Sequence, residues 1–281
     1  MPNSARWALS GAGALTVLLV AVYAAIHLEL VQHADVSILR GFSDLGRHPR
    51  VGSLARAIVS LCNPDPYVYL CVLPVAIALL RRRIWVALVI VAILLGSNCT
   101  TELLKPLLAV HRSYSLPGAP SGGSWPSGHS TASMSLALCC VIAAPGRQRP
   151  AVAAIGAVFA VAVGYSLLSL ESHYPTDVLG GFLVASVWTL LGIAAIWTAY
   201  SHRSRESALT ASSERPTIWA ALGPPSAVPL AAVMLVALVV IVRPHDVVSY
   251  VRVHQAFMIG AGGIGALALA LATGVMLALR R

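Results

Sequence analysis

Three short patches of this sequence hold residue types able to act on an anion. Lys105 and Arg112, in KPLLAVHR, set an ammonium and a guanidinium seven residues apart, and both can reach one interfacial anion. Such cations also snorkel from helix ends to anchor them. Trp125, Pro126, Ser127, Gly128 and His129 read as a turn entering a helix. Unpaired N–H groups at the positive end of the helix dipole form a phosphate cradle there, Ser127 adds a hydroxyl and Gly128 admits close approach. His129 would stand beside the anion, able to give or take a proton; the plain alternative is a helix cap followed by an interfacial histidine. His173 and Asp177 are four apart around Pro175. A carboxylate that fixes one imidazole nitrogen leaves the other free as nucleophile or base, although Asp177 could equally cap the following helix.

The elements that must position these groups are membrane spans. In 281 residues, 58% are hydrophobic and only 10% charged, with a mean hydropathy of +0.81. That composition excludes a water-soluble enzyme. The apolar runs are continuous rather than alternating, which excludes a membrane barrel and predicts an all-α, polytopic transmembrane bundle. Eight spans are expected, at 7–28, 66–80, 84–109, 129–144, 151–170, 178–200, 226–242 and 256–279. The first reads as a retained helix rather than a cleaved signal, being longer than a signal's apolar region. The second is short and must borrow residues from Leu61 onward or snorkel through Arg81, Arg82 and Arg83. Pro224, Pro225 and Pro229 blur the start of the seventh.

A formal charge of +9 suggests nucleic acid only until the basic residues are located: they lie scattered between apolar runs, as topology signals and headgroup contacts. With the N-terminus inside, eleven Lys and Arg fall in cytoplasmic segments and eight outside, favouring both termini in the cytoplasm. All three patches then sit at the outer ends of spans. Residues 29–65 form an outside connection with Val36, Leu39, Phe42 and Leu45 at helical spacing, suited to the membrane surface. The division expected is a six-span core over 1–200, a polar cytoplasmic linker over 201–216, and two additional spans over 217–281.

Lys-x6-Arg, then PSGH, then His-x3-Asp, with HYPTDVLGG from His173 to Gly181, resembles the type 2 phosphatidic acid phosphatase (PAP2) family, integral-membrane lipid phosphatases related to vanadium haloperoxidases. The resemblance covers about 60–200. It implies that Lys105, Arg112, Ser127 and Gly128 hold the phosphate, that His173 attacks phosphorus to form a phosphohistidine with Asp177 orienting it, and that His129 protonates the leaving alkoxide. No metal or cofactor is required in that scheme. The implied activity is hydrolysis of a lipid phosphomonoester or diphosphate, of polyprenyl diphosphate, phosphatidate or phosphatidylglycerophosphate type, at the outer face of the plasma membrane. Lipid phosphate and membrane lipids are the expected partners, nucleic acid is not, and a homo-oligomer is allowed.

Two positions depart from the family's pattern. Ser113 follows Arg112 where proline is usual. Where the third motif carries an arginine, this chain has Leu167 after Ser166. Loss of one phosphate-binding donor corresponds to a rate loss on the order of 10² to 10³. Arg243, Arg252 and His254 are candidate substitutes, and Glu171 is placed to weaken anion binding. Two alternatives stay open: a phosphotransferase that passes the group from the same intermediate to an acceptor other than water, and, because of Leu167, a weak or inert homologue that binds or transports a lipid phosphate. The remaining features read as structural. Five cysteines lack metal-ligand spacing, and His27, His33, His48 and His202 suit surfaces or interfaces. Gly260, Gly262, Gly263, Gly265 and Gly274 suit close packing. Asn98, Thr100, Thr101 and Glu102 are polar within a span, with Glu102 placed to pair with Lys105.

Overall fold

The computed structural model describes residues 1–120, 122–203, 218–242 and 244–280. Eleven α-helices and no strands occur among them: α1 (Asn3–Ile26), α2 (Glu29–Gly46), α3 (Pro49–Ser60), α4 (Pro64–Leu80), α5 (Ile84–Leu107), α6 (Gly128–Ala143), α7 (Arg149–Ser169), α8 (Pro175–Arg203), α9 (Ile218–Val242), α10 (Pro244–Val253) and α11 (Gln255–Ala278). Each of the eight expected apolar stretches lies on a helix. The all-α transmembrane architecture holds.

Five of these helices, α1, α5, α7, α8 and α11, are long and apolar enough to cross a bilayer, and α3 with α4 makes a sixth if that pair, bent by 59°, is one span. α6 has 16 residues, about 24 Å at ~1.5 Å each, before Pro145 follows its C-cap. α9 is a single helix that carries Pro224, Pro225 and Pro229 in its first half. The linker expected at 201–216 falls mostly outside the described residues, as does Arg243.

The core is built around α6, buried over nearly its whole length and packed on α7, α8 and α5. Polar residues inside the spans tie helices together. Thr101 Oγ1 is 2.9 Å from Thr131 Oγ1, Asn98 donates to Tyr67 Oη at 3.1 Å, and Trp188 Nε1 donates to Thr100 Oγ1 at 3.0 Å. In hydrocarbon, where water supplies no partner, such bonds fix helix register.

The connection over 29–65 is where the structure differs most from a surface segment. Its first half, α2, is docked on α7 and α11. The buried face comprises Gln32, Asp35, Val36, Leu39, Phe42 and Ser43, while Leu45 stays exposed. Glycines allow the close crossing with α11: a Cβ at Gly41 would strike Phe257, and one at Gly260 would strike Ile38. Gly262, Gly263 and Gly274 have nothing within 4 Å of an added Cβ, so the glycine-rich run packs closely only in part.

Candidate functional site

The three patches converge at one end of the bundle. The C-terminal end of α5, the N-terminal ends of α6 and α8, and the turn after α7 all meet there. Ser127 N–H donates to the Asp177 carbonyl at 3.0 Å, which joins the starts of α6 and α8. The paired glycines of HYPTDVLGG explain the closeness: a Cβ at Gly180 would strike the Trp125 ring, and one at Gly181 would strike the Ser127 carbonyl and Thr131 N–H.

Ser127 is the N-cap of α6. Its Oγ accepts from Ser130 N–H at 3.3 Å and is fully buried. The hydroxyl is thus engaged within the turn, leaving the N–H groups of Gly128 and His129, which have no intrahelical carbonyl, as the open part of the cradle. A Cβ at Gly128 would lie 3.1 Å from Glu102 Oε1 and 3.3 Å from Lys105 Nζ, so glycine keeps the space before the lysine clear. Lys105 Nζ pairs with Glu102 at 2.6 Å, the i, i+3 contact expected from the sequence.

His173 Nδ1 lies 3.4 Å from Asp177 Oδ2, and Tyr174 N–H donates to the same oxygen at 2.9 Å. Asp177 therefore both caps α8 and orients His173. Its other oxygen accepts from Arg112 Nη2 at 2.8 Å. Arg112 is almost completely buried, stacked 3.9 Å over the Tyr174 ring, and bonds Thr176 Oγ1 at 3.0 Å and Asp35 Oδ2 at 2.7 Å. The guanidinium read from the sequence as a phosphate ligand is thus held between two buried carboxylates.

Asp35 is the residue the sequence reading missed. It accepts from Thr176 Oγ1 at 2.5 Å and from Thr176 N–H at 3.2 Å as well as from Arg112, so α2 caps the start of α8. Burial pushes its carboxyl up to about 6, against the lowering effect of Arg112 and Thr176. One turn earlier, Gln32 Oε1 accepts from Ser113 and Tyr114 N–H at 2.9 and 3.3 Å. Together they hold the start of the connection after α5, where His33 stacks on Tyr114 at 3.9 Å. The signal was present: Gln32 and Asp35 fall in phase with Val36, Leu39 and Phe42, and polar groups on an apolar stripe require buried partners.

Leu167 is 1% exposed and packs with Cys62, Ala132 and Val163. His254 Nε2 pairs with Asp44 on α2 at 3.2 Å, and Arg252 is exposed. Glu171, at φ +54°, accepts from Ser43, so its carboxylate is engaged with α2.

Between α4 and α5 runs a groove of about 660 Å³. Its polar end is formed by Glu102, Lys105, Gly128 and His129, and its apolar wall by Val68, Val72, Val75, Leu79, Leu94 and Leu95. Val68, Val72 and Leu95 are mostly exposed, so the wall belongs to the bundle surface that meets lipid.

Residues 84–201 match the PAP2 superfamily. An undecaprenyl-diphosphatase from Sulfolobus acidocaldarius is 32% identical over 117 residues, covering 40% of this chain and 55% of that relative. The chain thus spans about half the length of this curated relative. A crystal structure described as the first transmembrane PAP2 type phosphatidylglycerolphosphate phosphatase from Bacillus subtilis superposes with a TM-score of 0.56 at 26% identity, over 67% of this chain and 96% of that one. Helices α5 to α8 and the turns beside them, which present Lys105, Ser127, His129, His173 and Asp177 at one end of the bundle, make up the segment of this multi-pass membrane chain that is similar to the PAP2 superfamily.

Proposed function

We infer that the protein is a lipid phosphatase that hydrolyses a phosphomonoester or diphosphate headgroup at the outer face of the plasma membrane, with both termini cytoplasmic. The groove between α4 and α5 carries the reading: one end offers an ammonium, free backbone N–H groups and a histidine, and the rest is apolar and faces lipid. An amphiphile fits it with its phosphate at Lys105 and its tail in the membrane. Both named relatives act on lipid phosphates, which supports that substrate class.

In the reaction, Lys105 and the Gly128 and His129 N–H groups bind the phosphate oxygens. His173 Nε2 attacks phosphorus in line while Asp177 holds Nδ1–H; the P–N bond forms as the bond to the leaving oxygen breaks. His129 gives its proton to the leaving alkoxide. Water then attacks the phosphohistidine, loses a proton to His129, and inorganic phosphate departs. Arg112 supports Asp177 from its other oxygen. The six-span portion over 1–200 is the catalytic unit, with α9 to α11 bracing it.

The test is to incubate the protein with a lipid ³²P-phosphate and quench in base, where phosphohistidine persists. Label lost in His173→Ala is expected; label on another residue contradicts the reading. A second reading, a lipid-phosphate binder with little turnover, is favoured by buried, apolar Leu167 and by the engagement of Arg112 with two carboxylates. Lipid binding without label would select it.

A further inference from the structure

Asn63 occupies the N-cap of α4 yet makes no capping bond. An asparagine there ordinarily accepts from the N–H of the second or third helical residue. α4 opens Pro64-Asp65-Pro66, and prolines carry no N–H, so only Asp65 has one to offer among those three. The side chain turns elsewhere: Asn63 Oδ1 lies 3.0 Å from His129 Nε2. The bend between α3 and α4 brings Asn63 to the first turn of α6.

A carbonyl oxygen only accepts, so the contact assigns the imidazole proton to Nε2 and leaves Nδ1 as the second nitrogen. The charged or titratable groups around His129 are Lys105 and Glu102 from α5 and His173 from the turn before α8. The two histidines are thus held differently. His173 has a carboxylate behind it, which favours a nucleophile; His129 has a neutral amide, which orients the ring without competing for its proton.

We propose that Asn63 is a positioning residue for His129, accepting from Nε2–H so that Nδ1 of the imidazolium delivers its proton to the leaving alkoxide and, once neutral, takes one from water. The proposal rests on the lipid phosphatase reading and names a residue outside the matched 84–201 segment.

The test uses Asn63→Ala and Asn63→Asp beside His129→Ala in the full chain. Phosphatidate releases an alkoxide that needs a proton, whereas p-nitrophenyl phosphate releases a phenolate that does not. Asn63→Ala should lower kcat on phosphatidate about 10- to 100-fold with KM little changed, and p-nitrophenyl phosphate by less than about threefold. Equal losses on both substrates, or none, would overturn the proposal. Independently of turnover, ¹³C-histidine NMR in micelles follows the His129 titration, identified by its loss in His129→Ala. Asn63→Asp should raise the midpoint by about one pH unit, and an unmoved midpoint refutes the contact. A protein that hydrolyses no phosphate ester defeats the phosphatase reading alone, and the titration still decides the role of Asn63.

Discussion

Arg112 and His173 bind opposite oxygens of a single carboxylate, Asp177, at 2.8 and 3.4 Å. The arginine therefore acts on the histidine through Asp177, and its loss leaves Asp35 and Asp177 both buried without their counter-ion. Arg112→Ala should destabilise the protein by about 3–5 kcal/mol and abolish turnover together. Lys105→Ala, at a partly exposed ion pair, should reduce turnover by about 10²-fold or more with Tm within a few degrees of wild type. Equal Tm values for the two variants would contradict this division.

Asp35 predicts a specific pH dependence of stability. Its folded carboxyl titrates at about 6, above its ordinary 3.8. A raised folded value means that the contribution is fully present below the unfolded value and is lost as pH rises through about 6. Between pH 4 and 7, Asp35→Asn should therefore remove a fall in Tm that wild type shows. Parallel pH profiles for the two proteins would be the contrary result.

Gly128→Ala separates folding from binding. Alanine at the first turn of α6 is tolerated or favoured by the helix by up to about 1 kcal/mol. The added Cβ falls 3.1 and 3.3 Å from Glu102 and Lys105. Steady-state kinetics should show KM raised about tenfold with Tm unchanged or higher; an unaltered KM would remove Gly128 from the cradle.

Leu167→Ala tests whether this side chain serves packing alone. It should cost about 2–5 kcal/mol by denaturant titration, as a buried leucine in an apolar cluster does, with kcat/KM within a few-fold. A loss of turnover without a loss of stability would assign it a role in the site.

Much of the site could be read from the chain because its parts are local. His173 and Asp177 lie one helical turn apart across a proline, and Ser127 stands where α6 begins, so spacing and capping chemistry locate them. Asp35 and Asn63 were not legible in that way. Each works across a large sequence separation, 77 residues to Arg112 and 66 to His129, and neither has a local partner that marks it. For the same reason Arg112 read as a free phosphate ligand, since only the docking of α2 brings Asp35 to it. The start of the seventh apolar stretch, blurred in the sequence by Pro224, Pro225 and Pro229, lies further upstream, since α9 begins at Ile218 and runs through all three prolines.

The most direct measurement is release of inorganic phosphate by the purified full chain from phosphatidate, phosphatidylglycerophosphate and polyprenyl diphosphate, with chelator present and His173→Ala alongside. Release from at least one of these lipids that persists in chelator and vanishes in His173→Ala is expected. Release that survives in His173→Ala, or none from any lipid phosphate, would contradict it.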